Sequence, residues 1–136
     1  MCGMESDVVR QLREGYEAFN RGDFDAVLRN FDSDFEAYER EEVPDPRRYE
    51  GREGARDAFA NAVEMFDEYE IVPVEFVEGT EHVLVVAQQR GRGRASGVEV
   101  EGEIVHVWTI RNGRTSALRG FSSKRDALEH LGWPSS

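Results

Sequence analysis

The sequence has a single cysteine among its 136 residues, so it cannot form an internal disulfide. It also has no apolar run that approaches the ~18 residues of a membrane-spanning helix. The N-terminal residues include neither the basic stretch nor the apolar stretch of a signal peptide. These absences favour a reducing cytoplasm as the location of the protein. We interpret Cys2 as part of a disordered N-terminus over residues 1–6 rather than as a reactive thiol.

Positive charge is also scarce, since the formal net charge is −11. Nucleic-acid binding needs a basic face, and anionic membranes would repel this chain, so neither is an expected partner. The sequence has no histidine pair at metal-ligand spacing and no glycine-rich phosphate loop, so we expect no metal and no cofactor. A neutral or weakly charged small molecule, or a second copy of the chain, is the more natural partner.

The N-terminal half has the periodicity of helices. A first helix carries Val8, Leu12, Tyr16 and Phe19, with Ser6 as its N-cap and Gly22 as its stop. Asp23 caps a short second helix that reaches Phe31. Residues 32–34 have turn chemistry, residues 35–39 form a short strand, and residues 40–52 form a loop that contains two prolines. A third helix is predicted over residues 53–66.

From residue 69 onward the pattern is typical of strands. Pro73 indicates an edge strand or a bulge, and Asn112-Gly113 is a strong signal for a two-residue hairpin turn. The predicted strands cover residues 71–77, 82–95, 98–111 and 114–122, and a short closing helix covers residues 124–131. No linker or repeat interrupts the chain, so we expect a single domain over residues 7–132.

The second predicted hairpin turn, Ser96-Gly97, fixes a register that can be checked. A two-residue turn there places opposite charges in cross-strand pairs on one face, namely Arg94 with Glu99, Arg92 with Glu101 and Arg90 with Glu103. The other face then carries His106 and Trp108 with their apolar neighbours. The charged face becomes apolar farther along, and we expect this patch to form a homodimer through the outer face of the sheet, at Leu84, Val86, Val105 and Val107.

Three segments resemble the SnoaL-like branch of the nuclear transport factor 2-like superfamily: AFNRGDFD at residues 18–25, YEGREG at residues 49–54 and HVWTIRNG at residues 106–113. The resemblance covers residues 7–131. It implies an α+β cone, in which N-terminal helices pack in the concave face of a curved antiparallel sheet and leave a pocket at the open end. The superfamily contains enzymes, binding proteins and assembly domains, so the fold alone does not assign a function.

The resemblance also suggests candidate catalytic residues. Glu39 lies where ketosteroid isomerases of this superfamily place their catalytic base, and His106 lies where they hold a protonated aspartate that donates to an oxyanion. The alternative for Glu39 is a surface carboxylate in an acidic segment. The alternative for His106 is a partly buried histidine whose hydrogen bonds a neighbour such as Gln89 satisfies.

Further side chains are candidates for the pocket lining: Tyr16, Phe59, Phe66, Gln89 and Trp108. Tyr16 lies near the helix-one position where isomerases keep an oxyanion-binding tyrosine. The side chain of Arg119 faces the pocket if a regular two-residue turn sets the last strand, whereas a bulge would replace it by Leu118 and turn Arg119 outward. Both alternatives are open at this stage.

One departure from the family separates the functional hypotheses. The last strand, residues 117–122, lacks the acid that SnoaL-type cyclases carry there. We therefore consider three functions: a binding domain for a small apolar or carbonyl-containing molecule, with the pocket closed by residues 40–52; an acid–base enzyme that uses Glu39 and His106; and a dimerisation module with a filled core.

Overall fold

The computed structural model describes residues 5–38 and 48–134, which form four helices and one six-stranded sheet. The strand order is β2-β1-β6-β5-β4-β3; β1 and β6 run parallel, and the other neighbours are antiparallel. The predicted α+β class, with N-terminal helices and a short C-terminal helix, is confirmed. In chain order the elements are α1 (Asp7–Asn20), α2 (Phe24–Leu28), β1 (Phe31–Tyr38), β2 (Arg48–Glu50), α3 (Gly51–Glu64), β3 (Phe66–Glu78), β4 (His82–Gly93), β5 (Glu99–Arg111), β6 (Arg114–Phe121) and α4 (Lys124–Leu131).

Side-chain caps begin three of the helices. The Ser6 hydroxyl accepts a hydrogen bond from the backbone N–H of Val9 at 3.1 Å, as the sequence predicts for α1. Asp23 caps α2 and Ser123 caps α4 in the same way. Gly132 then ends α4 in the left-handed conformation. The disorder of residues 1–6 stays a prediction, and residues 1–4 lie outside the described part of the chain.

The segment between α2 and α3 differs from the prediction. Phe31 begins β1 instead of ending the second helix, and residues 32–34 lie within that strand, where the register against β6 is irregular. Arg48–Glu50 pairs with β1 as β2, although it was predicted to belong to a loop. Residues 39–47, which include Glu39, lie outside the described residues.

The third helix ends earlier than its periodicity predicts. Phe66 belongs to β3, where it pairs with Gly93, and the carbonyl of Met65 accepts a hydrogen bond from the N–H of Arg94. These long-range contacts override the local helical pattern. β3 is an edge strand with a register shift between Pro73 and Glu75, so both interpretations of Pro73 are correct.

The β4–β5 hairpin has the predicted faces but a different register. Arg92 lies opposite Glu99 and Arg90 opposite Glu101, because residues 94–98 form a loop in place of a two-residue turn. The N–H of Gly97 closes this loop on the carbonyl of Gly93 at 2.7 Å. The predicted pairs are therefore wrong, but a shift by two residues leaves every side chain on its predicted face.

The β5–β6 hairpin begins with the predicted turn and then departs from it. Asn112 and Gly113 both have positive φ, as a type I′ turn requires, and Arg111 faces Arg114. Farther along, the register shifts at Ser116, and the bulge places Leu118 opposite Trp108 and Arg119 opposite Val107. The inward alternative for Arg119 is therefore wrong.

The sheet carries a core on each face. On the inner face, α1, α2 and α3 pack against residues such as Val85 and Trp108. On the outer face, α4 covers the apolar patch that predicted a second subunit. Because α4 covers the patch, the patch no longer argues for a dimer, and dimerisation through this face stays a prediction. No helix within residues 5–38 and 48–134 is long and apolar enough to cross a membrane.

Candidate functional site

A cavity of about 1020 Å³ lies between α1, α3 and the inner face of the sheet. Most of the predicted site residues line it: Tyr16, Phe59, Phe66, Gln89, His106 and Trp108. The outcome is different for the other two predicted site residues, Arg119 and Glu39. Arg119 is not part of the described lining, and its guanidinium lies 4.4 Å from the ring centre of Tyr38. Glu39 lies outside the described residues, so its predicted role as a base stays a prediction.

Three polar side chains meet at one end of the cavity. The hydroxyl of Tyr16 lies 2.7 Å from Nδ1 of His106, and it accepts a hydrogen bond from Nε1 of Trp108 at 3.0 Å. His106 and Trp108 are two residues apart on β5 and so share a face, while α1 places Tyr16 across from both. All three are buried, with exposed fractions of 6% for Tyr16, 9% for His106 and 6% for Trp108.

Burial keeps this cluster neutral. It lowers the pKa of His106 to about 4, because the imidazolium loses its hydration, and it raises the pKa of the Tyr16 hydroxyl for the same reason. At neutral pH the imidazole is therefore uncharged and the phenol is protonated. The cluster can exchange hydrogen bonds with a bound molecule, but it offers no charge.

The walls of the cavity are aromatic. Phe59 of α3 lies edge-on to Phe19 of α1, with ring centres 5.8 Å apart, and also contacts Phe31 at 6.1 Å. Phe31 in turn lies 6.0 Å from Trp108. Such ring pairs are stable in offset or edge-to-face geometry. They form a continuous apolar surface that leads away from the Tyr16–His106–Trp108 cluster.

A second polar contact lies farther along the sheet, where the Tyr69 hydroxyl donates to Oε1 of Gln89 at 2.7 Å. Tyr69 stacks on Phe66 at 4.7 Å, since a bulge with Glu68 at positive φ turns both rings toward the cavity. A Cβ at Gly91 would lie 2.9 Å from the Tyr69 ring. Tyr69 was not predicted to line the cavity, because the bulge breaks the alternation that marks an inward residue. A glycine inside a strand often indicates that another group approaches the backbone closely, so Gly91 was the signal in the sequence that could have pointed to Tyr69.

No group of three or more metal-ligating side chains was found in the described parts of the chain.

The comparison with protein-family models identifies one family. The SnoaL-like domain family matches residues 12–117. A protein of the nuclear transport factor 2-like type from Burkholderia pseudomallei, of unknown function, is 26% identical and superposes with a TM-score of 0.75, over 92% of this chain and 97% of its own. No curated protein matches the sequence.

Two further solved structures share the fold. A candidate SnoaL-like polyketide cyclase from Jannaschia has a TM-score of 0.76 at 18% identity, covering 98% of this chain and 100% of its own. A protein of ketosteroid isomerase-like fold from Catenulispora acidiphila, solved with trimethylamine, has a TM-score of 0.73 at 14% identity, with 96% of each chain covered. At these identities the likeness extends to the fold alone. Because the family match spans most of the sequence, the chain belongs to the SnoaL-like domain family.

Proposed function

We propose that the protein binds a small, largely apolar molecule in the cavity. The observation that carries the proposal is the cavity itself, about 1020 Å³ of space walled by aromatic and aliphatic side chains. Ligand sites typically combine such walls with a few placed polar groups, and the Tyr16–His106–Trp108 cluster supplies them here. A dimerisation module with a filled core would have no reason to keep this space open.

The electrostatics of the lining favour a neutral ligand. Among the described residues that line the cavity, Glu64 is the only aspartate, glutamate, lysine or arginine, and it is exposed. A buried anion would find no cationic partner there, and burying an unpaired charge is costly. The overall charge of −11 would repel anions as well.

A fluorescence titration tests this proposal. The neutral probe 1-aminoanthracene should become brighter on entering the cavity, whereas the anionic 8-anilinonaphthalene-1-sulfonate should bind at least about tenfold more weakly, which is 1.4 kcal/mol. Native mass spectrometry of the purified protein can also detect a molecule retained from the cell.

Gly15 offers a matched pair of variants for the same titration. It lines the cavity from α1, and a Cβ built there meets nothing within 4 Å. Gly15→Leu should fill part of the space and weaken the neutral probe by about tenfold, while Gly15→Ala should change its affinity little. A neutral probe that fails to bind, or that binds Gly15→Leu as well as the wild type, would contradict the proposal.

An acid–base enzyme of the isomerase or cyclase type is the second candidate, with Glu39 and His106 as its catalytic residues. The supporting observation is that Tyr38, which directly precedes Glu39, lines the same cavity as His106. The test is turnover of candidate ketones by the wild type, Glu39→Gln and His106→Ala. Full activity in both variants would exclude these residues as the catalytic pair.

A further inference from the structure

The positions of the hydrogen atoms in the Tyr16–His106–Trp108 cluster follow from what each group can donate. The indole nitrogen of Trp108 is a donor only, so the Tyr16 oxygen must be the acceptor in their 3.0 Å contact. Tyr16 keeps one proton of its own to donate. Within the described residues, Nδ1 of His106 is the one acceptor in hydrogen-bond contact with this hydroxyl, at 2.7 Å.

The same contact fixes the tautomer of His106. If Nδ1 carried the proton, the Tyr16 oxygen would accept two hydrogen bonds, and its own buried proton would have no partner among the described residues. If Tyr16 donates to Nδ1, the Tyr16 hydroxyl, the Trp108 N–H and Nδ1 of His106 all have partners. Because the imidazole is neutral, its single proton then lies on Nε2.

Nε2 of His106 opens onto the cavity. In the described part of the chain, the hydrogen bond of this side chain is made through Nδ1, and no fully buried side-chain nitrogen or oxygen lacks a partner. Nε2 is therefore accessible, and His106 lines the cavity. The Nε2–H group faces the space that a ligand would occupy.

We propose that Tyr16 and Trp108 are positioning residues that hold His106 as its Nε2–H tautomer, so that the site selects neutral ligands with a hydrogen-bond acceptor, such as a carbonyl oxygen. An acceptor completes the hydrogen bonding of the cluster. A ligand with only a donor at that point would leave two donors facing each other, and buried polar groups without partners discriminate strongly. This inference rests on the proposed function, because it specifies the ligand of the same cavity.

The tautomer can be measured without any ligand. The protein has three histidines, so the ¹⁵N shifts of the His106 ring can be assigned by comparison with His106→Phe. The wild type at pH 7 should show a pyridine-like Nδ1 and a pyrrole-like Nε2. In Tyr16→Phe the Nδ1 contact is lost, and the two tautomers should mix, while Trp108→Phe should weaken the preference. A wild-type spectrum with the proton on Nδ1, or with both nitrogens protonated, would overturn the proposal.

Selectivity is measured with two ligands of the same shape. Acetophenone carries a carbonyl oxygen where α-methylstyrene carries a methylene group. Calorimetric titration should show that His106→Phe loses about tenfold in affinity for acetophenone and less than about twofold for α-methylstyrene, as removal of one hydrogen bond predicts.

The outcomes separate the two proposals. If neither compound binds the wild type, the proposed function is contradicted, and the ring spectrum still decides the tautomer. If both bind and His106→Phe weakens them equally, the cavity is a binding site but the donor selectivity is wrong.

Discussion

The two faces of the β4–β5 hairpin use neighbouring residues of the same strands in different ways. On the outer face, Leu84 and Val105 are fully buried under α4, in a cluster formed by apolar side chains. On the inner face, Val83 and Val85 are just as buried, but the helices that cover them leave a cavity of about 1020 Å³ beside His106 and Trp108.

This difference shows how a chain of 136 residues can keep a large cavity and still fold. The short helix α4 closes the outer face tightly, with Leu128 and Ala127 against the sheet. Dense packing there stabilises the same strands that present the site on their other face. We therefore expect substitutions on the outer face to act on stability alone, and substitutions on the inner face to change binding as well.

The largest effect is expected from Leu84→Ala on the outer face. Leu84 has an exposed fraction of 0%, so its truncation should lower the free energy of unfolding by roughly 2–5 kcal/mol. Denaturant unfolding measures this change, and the folded variant should bind 1-aminoanthracene with unchanged affinity. The control is Val74→Ala, at an edge-strand position that is 60% exposed, with an expected change within about 0.5 kcal/mol. A loss of probe binding in folded Leu84→Ala would remove the distinction between the faces.

The next effect is a pH dependence that comes from the inner face. The pKa of His106 is about 4 in the folded protein, against an ordinary value of 6.5, because of its burial. Between these values the unfolded chain binds a proton that the folded chain does not, so stability falls as the pH drops from 6.5 to 4. The full loss is about 3 kcal/mol. Tyr16, which faces His106, stays protonated across this range, because the ordinary pKa of a phenol, 10.0, already lies above it and burial raises it further.

The control for that prediction is His106→Phe, since the acidic side chains titrate in both proteins. The difference between the two curves of unfolding free energy against pH isolates His106. Parallel curves from pH 6.5 to 4.5 would show that the imidazole is not buried as a neutral group.

The sequence predicted the elements whose signals are local. Ser6 and Asp23 mark helix starts through their own side chains, and the spacing of Leu12, Tyr16 and Phe19 marks a buried helix face. Asn112-Gly113 specifies its turn because both residues tolerate positive φ. Alternation in β5 placed His106 and Trp108 on one face, which is why both of these predicted site residues line the cavity.

The sequence left the bulge at Ser116 as one of two alternatives and did not indicate the bulge near Glu68, and these two bulges decided the positions of Arg119 and Tyr69. The extra residue at Ser116 turns Arg119 outward, and the one near Glu68 brings Tyr69 to the cavity. The bulge at Ser116 is accompanied by a cross-strand contact, the hydrogen bond from Ser116 Oγ to the carbonyl of Thr109 at 3.2 Å. The spacing of apolar residues in the sequence gives no information about such a contact.

Tyr16→Phe tests the inner face with a smaller cost to stability. The change removes one hydroxyl and leaves the Trp108 N–H and His106 Nδ1 without their shared partner, so the free energy of unfolding should fall by about 1–3 kcal/mol. Denaturant unfolding of the single variants and of Tyr16→Phe with Trp108→Phe measures the coupling. Additive effects would show that the two side chains do not act as a unit.

Arg119→Ala is expected to have the smallest effect, and it tests the boundary of the site. Arg119 lies over the ring of Tyr38 and is absent from the described lining of the cavity, so its loss should cost about 0.5–1 kcal/mol of stability. Acetophenone should bind the variant within about twofold of the wild type, in contrast to the roughly tenfold loss in His106→Phe. The two residues lie opposite neighbouring positions of the β5–β6 pairing, Arg119 opposite Val107 and His106 opposite Gly120. Equal losses of affinity in both variants would mean that the bulge at Ser116 does not separate the faces in solution.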